Sequence, residues 1–342
     1  MNIPNASHLP SRIKDGVALL EHLTPVWFAM VMGWCGLAQA WLRATDGLGN
    51  TAYGIGLVAG AFALLLFVVL CLASLLRLQA HPGAVAADMR HPIRHAYMAT
   101  LPISVLLLAS LGIQLFWGQD RLLDSALTLG WCVGSVLEIA ATVWVISRWF
   151  KPAQNGGIQW ASFTPVFFIP VVGNVLAPLG GVGIGLQAWA TAQFGVGLFL
   201  WMVMQTLFFV RLAQAGPMPA RMAPSLFITV VPPSIGGLSL LQLDAPMAVA
   251  WMLWGIAAFF LLLALREMSV IREQPFSMAH WGMSFPLAAF TALSLRMSQA
   301  PDGGWMQTPA ILLLALTSLL ILGLTLGTWR SLQHGHLLVA DA

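Results

Sequence analysis

The sequence contains few charged residues. Asp, Glu, Lys and Arg together make up only 8% of its 342 residues, against roughly 25% in an ordinary soluble domain. Apolar residues account for 59%, and they form long runs throughout the chain. This composition leaves no room for a sizeable soluble domain and indicates a polytopic α-helical membrane protein.

Cysteine is also scarce. Cys35, Cys71 and Cys132 all lie within apolar runs, so we interpret them as small buried residues rather than a disulfide or metal framework. The chain lacks both a cluster of metal ligands and paired intramembrane histidines that would hold a haem. We therefore expect no cofactor, no metal and no enzymatic activity. The net charge of +3 does not indicate a nucleic-acid partner, because the basic residues lie at the ends of apolar runs.

Ten apolar runs are long enough to cross a bilayer, which takes roughly 20 helical residues. They lie near 23–42, 53–76, 96–116, 125–147, 164–186, 190–210, 223–243, 246–265, 277–295 and 308–329. The sequence therefore predicts an all-α membrane protein with ten transmembrane helices in one domain, residues 23–330. The flanking segments, 1–22 and 331–342, are predicted to be short cytoplasmic tails, and the first carries no pattern of a secretory signal.

Basic residues are distributed unequally between the two sides of the predicted bundle. If both termini are cytoplasmic, twelve of the fifteen Lys and Arg residues lie on the cytoplasmic side, as the positive-inside rule requires. The twelve are Arg12, Lys14, Arg77, Arg90, Arg94, Arg148, Lys151, Arg211, Arg221, Arg266, Arg272 and Arg330. The other side holds Arg43, Arg121 and Arg296. An even number of spans with both ends inside fits this distribution.

Prolines fall on alternate spans. Pro25, Pro102, Pro170, Pro233 and Pro286 lie on the five odd-numbered spans, whereas the even-numbered spans have none in their interiors. Proline removes a backbone donor and clashes with the preceding turn, so we predict a kink in each odd-numbered helix. In lipid, such a break is tolerated where protein or a water-filled cavity satisfies the freed groups. The alternative is an ordinary kink in a lipid-facing helix, where proline is common.

The alternation also predicts the architecture. The four steps from Pro25 to Pro286 average about 65 residues, the length of a helical hairpin. We therefore predict five hairpins, in which five kinked helices line a central channel and five unbroken helices surround them. Phe285, directly before Pro286, places a bulky aromatic side chain beside the break in the ninth span. This makes Phe285 a candidate pore residue, and ordinary packing is the alternative.

Four stretches along the chain resemble one family, the tellurite-resistance/dicarboxylate transporters, which include bacterial TehA and the plant slow-type anion channels. They are His91–Arg94 before the third span, Thr164–Asn174 in the fifth, Pro224–Ile228 with Val231–Ser234 in the seventh, and Trp281–Pro286 in the ninth. The likeness covers roughly residues 20–330, and it lies in the order and spacing of these stretches rather than in one motif.

The resemblance implies ten helices arranged as five hairpins around a pore, in a protein that assembles as a homotrimer in a bacterial inner membrane. It implies that small inorganic or organic anions are the partners, and that a phenylalanine on the ninth helix occludes the pore. Phe285 is the matching position. A dry neck at Phe285 would oppose ion entry because removing water from an ion is very costly.

Four further side chains are candidates for a role in transport. Asn174 either lines the pore or caps carbonyl groups freed in the fifth span. Glu138 is the one acid deep inside a span; it either contacts a neighbouring helix or protomer, or carries protons. His91 and Arg94 lie at the predicted cytoplasmic mouth, where they either attract anions or anchor the helix end at the interface.

The absence of Lys and Arg from the middle of the spans bears on mechanism. An anion would have to rely on helix dipoles and exposed backbone, which bind weakly and favour channel-like throughput. The sequence therefore favours an anion channel or uniporter gated at Phe285. The alternative is a proton-coupled secondary transporter of C4-dicarboxylates such as malate, or of tellurite or sulfite. A redox or scaffold protein is disfavoured because haem and metal ligands are missing.

Overall fold

The structure, a computed structural model, describes residues 18–152, 157 and 159–339. Within these ranges it is helical, and a helix lies at each of the ten predicted spans. The helices are α1 (Pro25–Arg43), α2 (Asn50–Ala80), α3 (Arg94–Phe116), α4 (Arg121–Phe150), α5 (Pro165–Gly181), α6 (Gln187–Ala215), α7 (Ala220–Gln242), α8 (Met247–Arg266), α9 (278–298) and α10 (Gly304–Gln333).

Eight of these helices in the described chain are long and apolar enough to cross a bilayer. α5 is shorter, because its last turn ends at Gly181 rather than near residue 186 as predicted. α9 carries several polar side chains, among them Ser284, Thr291 and Ser294, and is not one of the eight. The prediction of an all-α multi-pass membrane protein is confirmed, whereas the count of ten spanning helices stays a prediction.

Short elements connect the long helices. Short α-helices at Thr45–Leu48, Pro82–Arg90 and Met268–Glu273 fill three of the connections. The chain turns at Gly49 before α2 and at Gly216 after α6, with φ of 64° and 72°. Glycine adopts this left-handed backbone conformation without the steric cost that a side chain would add.

Each odd-numbered helix packs against the even-numbered helix that follows it, so the ten helices form five hairpins as predicted. The odd-numbered helices also contact one another in the order α1, α3, α5, α7, α9 and back to α1, which closes a ring. The even-numbered helices lie outside this ring.

Burial separates the two sets of helices. In the most apolar segment of α1, α3 and α7, between 61% and 83% of the residues are buried, against 28% to 33% in the even-numbered helices. The outer helices expose large apolar side chains such as Leu129, Phe199 and Leu319. Exposed apolar faces on the outside and a buried inner ring are the arrangement that a lipid environment favours.

Each odd-numbered helix begins with a 3₁₀ segment and then changes to α-helical geometry. The segments are Pro25–Phe28, Arg94–Ala99, Pro165–Phe168, Ala220–Val230 and Met278–Met283, and we call them together the 3₁₀ ring. Short 3₁₀ turns are frequent at helix starts, but runs longer than three or four residues, such as Arg94–Ala99, Ala220–Val230 and Met278–Met283, are uncommon.

The prolines of the odd-numbered helices lie at these changes of helix type. Pro25 opens the first 3₁₀ segment, and Pro102, Pro170, Pro233 and Pro286 lie in the first turn of the α-helical part that follows. A proline is tolerated in a first turn, where its missing donor matters least. The predicted kinks therefore take the form of a change in helix type near the start of each inner helix.

Candidate functional site

Each segment of the 3₁₀ ring contacts the next segment along the chain, and the last contacts the first. They therefore close at one face of the bundle, the face at which every odd-numbered helix begins, which we call the ring face. The N-termini of five helices converge there. Because helix dipoles are positive at their N-termini, this convergence makes the centre of the ring face favourable for negative charge.

A narrow, partly open cavity of about 40 Å³ lies inside the ring. Every odd-numbered helix contributes to its wall. The lining residues are Val26, Ala29, Met32, Tyr97, Thr100, Ile169, Val172, Ser225, Ile228, Val231, Met278, Ala279, Trp281, Gly282, Phe285 and Pro286. The wall is mainly apolar and contains no Asp, Glu, Lys or Arg. Its polar side chains are Tyr97, Thr100, Ser225 and Trp281. The Thr100 and Ser225 hydroxyls donate to backbone carbonyls, and the Trp281 indole N–H donates to α10.

Phe285 lies in the wall of this cavity and is itself buried. Its ring packs against Gly36 of α1, where an added Cβ would lie 3.0 Å from Phe285 Cδ2 and 2.9 Å from Ala288 Cβ. An added Cβ at Gly33 would lie 2.8 Å from Ser284 Cβ. The two glycines thus let α1 and α9 approach closely beside Phe285.

Hydrogen bonds fix the segment that carries Phe285. The indole Nε1 of Trp281 donates to Thr328 Oγ1 of α10 at 2.9 Å, and the hydroxyl of Ser284 donates to the Trp281 carbonyl at 2.7 Å. One helical turn after Phe285 comes the well-packed part of α9, where Phe290 stacks on Trp254. The position of the Phe285 backbone is therefore held from both sides.

Asn174 lies outside the wall of the cavity. Its Nδ2 donates to Thr142 Oγ1 at 2.7 Å and to the Pro170 carbonyl at 2.8 Å, and its Oδ1 accepts from Gln193 Nε2 at 3.2 Å. These bonds direct the side chain toward α4 and α6. Of the two roles considered for Asn174, capping a carbonyl at the start of α5 fits this position and lining the pore does not.

Glu138 is completely buried in α4. Within the described part of the chain, neither oxygen of its carboxyl group has a hydrogen-bond partner. The carboxyl group lies directly against Gly173 of α5, because a Cβ built at Gly173 would overlap it. Only a glycine at residue 173 leaves room for the Glu138 side chain. The sequence alone did not indicate that these two residues would be in contact.

His91 and Arg94 lie where the chain enters α3, and both make structural contacts. His91 Nδ1 accepts from the backbone N–H groups of Ile93 and Arg94, at 3.1 and 3.0 Å. Arg94 Nε lies 3.3 Å from Asp88 Oδ1. Neither residue lines the cavity, so their contacts fit the anchoring alternative better than direct attraction of anions in the cavity.

Asp88 joins three elements at the entrance to α3, a role that the sequence does not indicate. Its Oδ2 lies 2.7 Å from Arg77 Nη2, and both side chains are almost fully buried. Arg77 also donates to the Glu21 carbonyl. One carboxylate thus ties the end of α2, the Pro82–Arg90 helix and the start of α3 together. Nothing in the sequence distinguishes Asp88 from other acids in connecting segments, so its ion pairs could not be predicted.

Comparison with known proteins agrees with this geometry. The model of a protein family, SLAC1, described as voltage-dependent anion channel, matches residues 22–329. The chain belongs to the SLAC1 family. This match confirms the resemblance inferred from the sequence. The ring of proline-containing inner helices and its cavity thus belong to a member of a family of anion channels and transporters.

Three relatives show the range of this family. The SLAC1-family chain is 24% identical over 310 residues to an uncharacterized transporter of Methanocaldococcus jannaschii, covering 81% of this chain and 84% of that protein. It is 24% identical over 246 residues to the S-type anion channel SLAH2 of Arabidopsis thaliana, covering 71% and 46%. It is 22% identical over 266 residues to a tellurite resistance protein TehA homolog of Haemophilus influenzae, covering 77% of each.

Proposed function

We propose that the protein is an anion-selective channel or uniporter whose pore runs through the ring of five odd-numbered helices and is closed by Phe285. The observation that carries the proposal is the cavity inside the 3₁₀ ring, because all five inner helices line it and Phe285 forms part of its wall. Membership of an anion channel family supports the same reading.

Anion selectivity would come from diffuse positive potential rather than from a fixed cation. Five helix N-termini converge on a cavity whose wall carries no Asp, Glu, Lys or Arg side chain, so the helix dipoles supply the positive potential available to an anion. Weak interactions of this kind let an ion enter and leave, as conduction requires.

Phe285 would close the pore in two ways. Its ring occupies space beside Gly36, where α1 and α9 approach closely, and its apolar surface keeps the passage poorly hydrated. An anion that enters a dry apolar neck loses water without gaining a partner, which is strongly unfavourable. A change in the Phe285 rotamer or in the spacing of α1 and α9 would open the neck.

A second candidate function is proton-coupled secondary transport of C4-dicarboxylates such as malate, or of tellurite or sulfite. The buried carboxyl group of Glu138 is the observation that favours it, since intramembrane acids are common in proton-coupled transporters. A carrier also needs a defined binding site and alternating access, and the mainly apolar cavity offers little of the first. We therefore place the channel first.

We also propose how the protein is oriented in the membrane and how its protomers assemble. The ring face would be cytoplasmic in a bacterial inner membrane, because the described basic residues other than Arg43, Arg121 and Arg296 lie at that end of the helices. Of the residues counted for this orientation, Arg12 and Lys14 lie outside the described residues. The exposed apolar faces of the outer helices would contact lipid and, in a homotrimer, neighbouring protomers.

The function is tested by electrical recording from purified protein in planar bilayers, with chloride, nitrate, malate and sulfite supplied in turn. Under a salt gradient, we expect the reversal potential to follow the anion gradient and not the proton gradient. Bilayers that receive only detergent serve as control. A cation-selective current, or electrically silent uptake of a labelled dicarboxylate driven by protons, would contradict the channel proposal.

A further inference from the structure

The carboxyl group of Glu138 lies next to the proposed pathway but outside it. Gly173, which it contacts, directly follows Val172, a residue in the wall of the cavity. α4 thus places an acid against the back of the pore-lining helix α5, in a pocket that exists because residue 173 has no side chain. A charge on this group would lie behind the pore wall rather than in the path of the ion.

The polar side chains near Glu138 bond to one another and not to its carboxyl group. Ser135 Oγ donates to Gln193 Oε1 at 2.6 Å, and Gln193 Nε2 donates to Asn174 Oδ1. Asn174 Nδ2 and Thr142 Oγ1 both donate to the Pro170 carbonyl, at 2.8 and 2.7 Å. These donors are therefore engaged, and both carboxyl oxygens remain without a partner.

No charged group in the described chain faces Glu138 from the helices packed around it. The titratable side chains of α3, namely Arg94, His95 and Tyr97, lie in its 3₁₀ segment at the ring face, and α5 contains none. Arg211 of α6 and Arg148 of α4 also lie at the ring-face ends of their helices. A buried carboxylate without a counter-charge or hydrogen bond is strongly unfavourable, so the arrangement suits the neutral acid.

We propose that Glu138 is a proton-binding site and that anion passage depends on its proton. The inference rests on the proposed function, because it concerns the pore that α5 lines. When Glu138 is protonated, α4 and α5 pack as described and the pore wall is neutral. When the proton leaves, a negative charge appears behind Gly173; it repels an anion in the pore and favours separation of α4 from α5. The repulsion reduces anion flux.

The sign of the pH dependence follows. Anion flux is highest at acidic pH and falls as the pH rises through the range in which Glu138 loses its proton. We expect a decrease of roughly tenfold, the effect of a unit charge roughly 10 Å from the ion at an effective dielectric constant of about 20. Glu138→Gln, which imitates the protonated acid, should keep the high flux at every pH.

The experiment compares anion efflux from liposomes containing wild type, Glu138→Gln and His95→Gln over a range of pH. The histidine variant is the matched control, because His95 is the buried histidine of α3, a helix that packs against α4. We expect the pH dependence to persist in His95→Gln and to vanish in Glu138→Gln. The reverse result, or pH-independent flux in wild type, would overturn the proposal.

An infrared measurement tests the same site without transport. The C=O stretch of a protonated carboxyl group should appear in wild type, disappear as the pH is raised, and be missing from Glu138→Gln. Absence of this band from wild type at acidic pH would refute proton binding even if the protein conducts. Conversely, no anion flux from any variant at any pH, with the band present, would count against the proposed function and leave Glu138 a proton site without a transport role.

Discussion

Replacing Phe285 with alanine should raise anion current by roughly tenfold to a hundredfold, which corresponds to lowering the barrier by about 1.4 to 2.8 kcal/mol. The substitution removes the aromatic ring from the cavity wall beside Gly36 and widens the passage through the ring of inner helices. Water can then follow the anion through the neck, so the ion keeps part of its hydration shell. The measurement is current through planar bilayers at equal amounts of inserted protein.

Phe290→Ala is the matched control for this experiment. Phe290 lies on the same helix and is equally well buried, but it stacks on Trp254 instead of lining the cavity. It removes the same number of atoms and should leave current near the wild-type level. If Phe285→Ala conducts no better than Phe290→Ala, Phe285 does not limit conduction and acts only in packing.

Replacing Asp88 with alanine should have the largest effect on stability. The substitution leaves the buried guanidinium of Arg77 without its counter-charge and removes the ion pair with Arg94. Removing one partner of a buried ion pair costs about 3–5 kcal/mol. Thermal unfolding of the purified protein in detergent should therefore show a clearly lower midpoint than wild type, with loss of the native packing between α2 and α3.

A second substitution separates loss of the charge pair from general damage. Arg77→Met in the Asp88→Ala background removes the unpaired buried charge, so part of the lost stability should return. Asp46→Ala, which changes an exposed acid in the Thr45–Leu48 helix, should shift stability by no more than about 0.5 kcal/mol. Equal unfolding midpoints for Asp88→Ala and Asp46→Ala would show that the buried pair does not stabilise the fold.

Much of the fold could be predicted because it depends on local physical properties of the chain. The length of an apolar run determines whether it spans a bilayer. A proline such as Pro102, Pro170 or Pro286 restricts the backbone wherever it occurs. Their restriction to alternate runs was enough to assign inner and outer helices. The change from 3₁₀ to α geometry was not foreseen, because proline is compatible with a kink, a cap or a first turn.

The parts that the sequence did not predict depend on contacts between distant residues. Nothing local in the sequence pairs Gly173 with Glu138 across α4 and α5, or Asp88 with Arg77 and Arg94. Asn174 was equally compatible with two environments, and its contacts with α4 and α6 are settled only by the tertiary packing of α5. Such contacts form only in the folded protein, and the sequence alone does not reveal which distant residues meet.

The central claim, that the cavity inside the 3₁₀ ring is part of the anion pathway, is tested most directly by thiol modification. Ser225 and Ser239 lie on the same helix and both are buried, but only Ser225 lines the cavity, whereas Ser239 donates to the Val175 carbonyl. Each is replaced by cysteine in a Phe285→Ala protein that lacks Cys35, Cys71 and Cys132. A small, negatively charged thiol reagent applied at the ring face should block anion current through Ser225→Cys and leave Ser239→Cys unchanged. Current that survives confirmed modification at residue 225 would contradict the account.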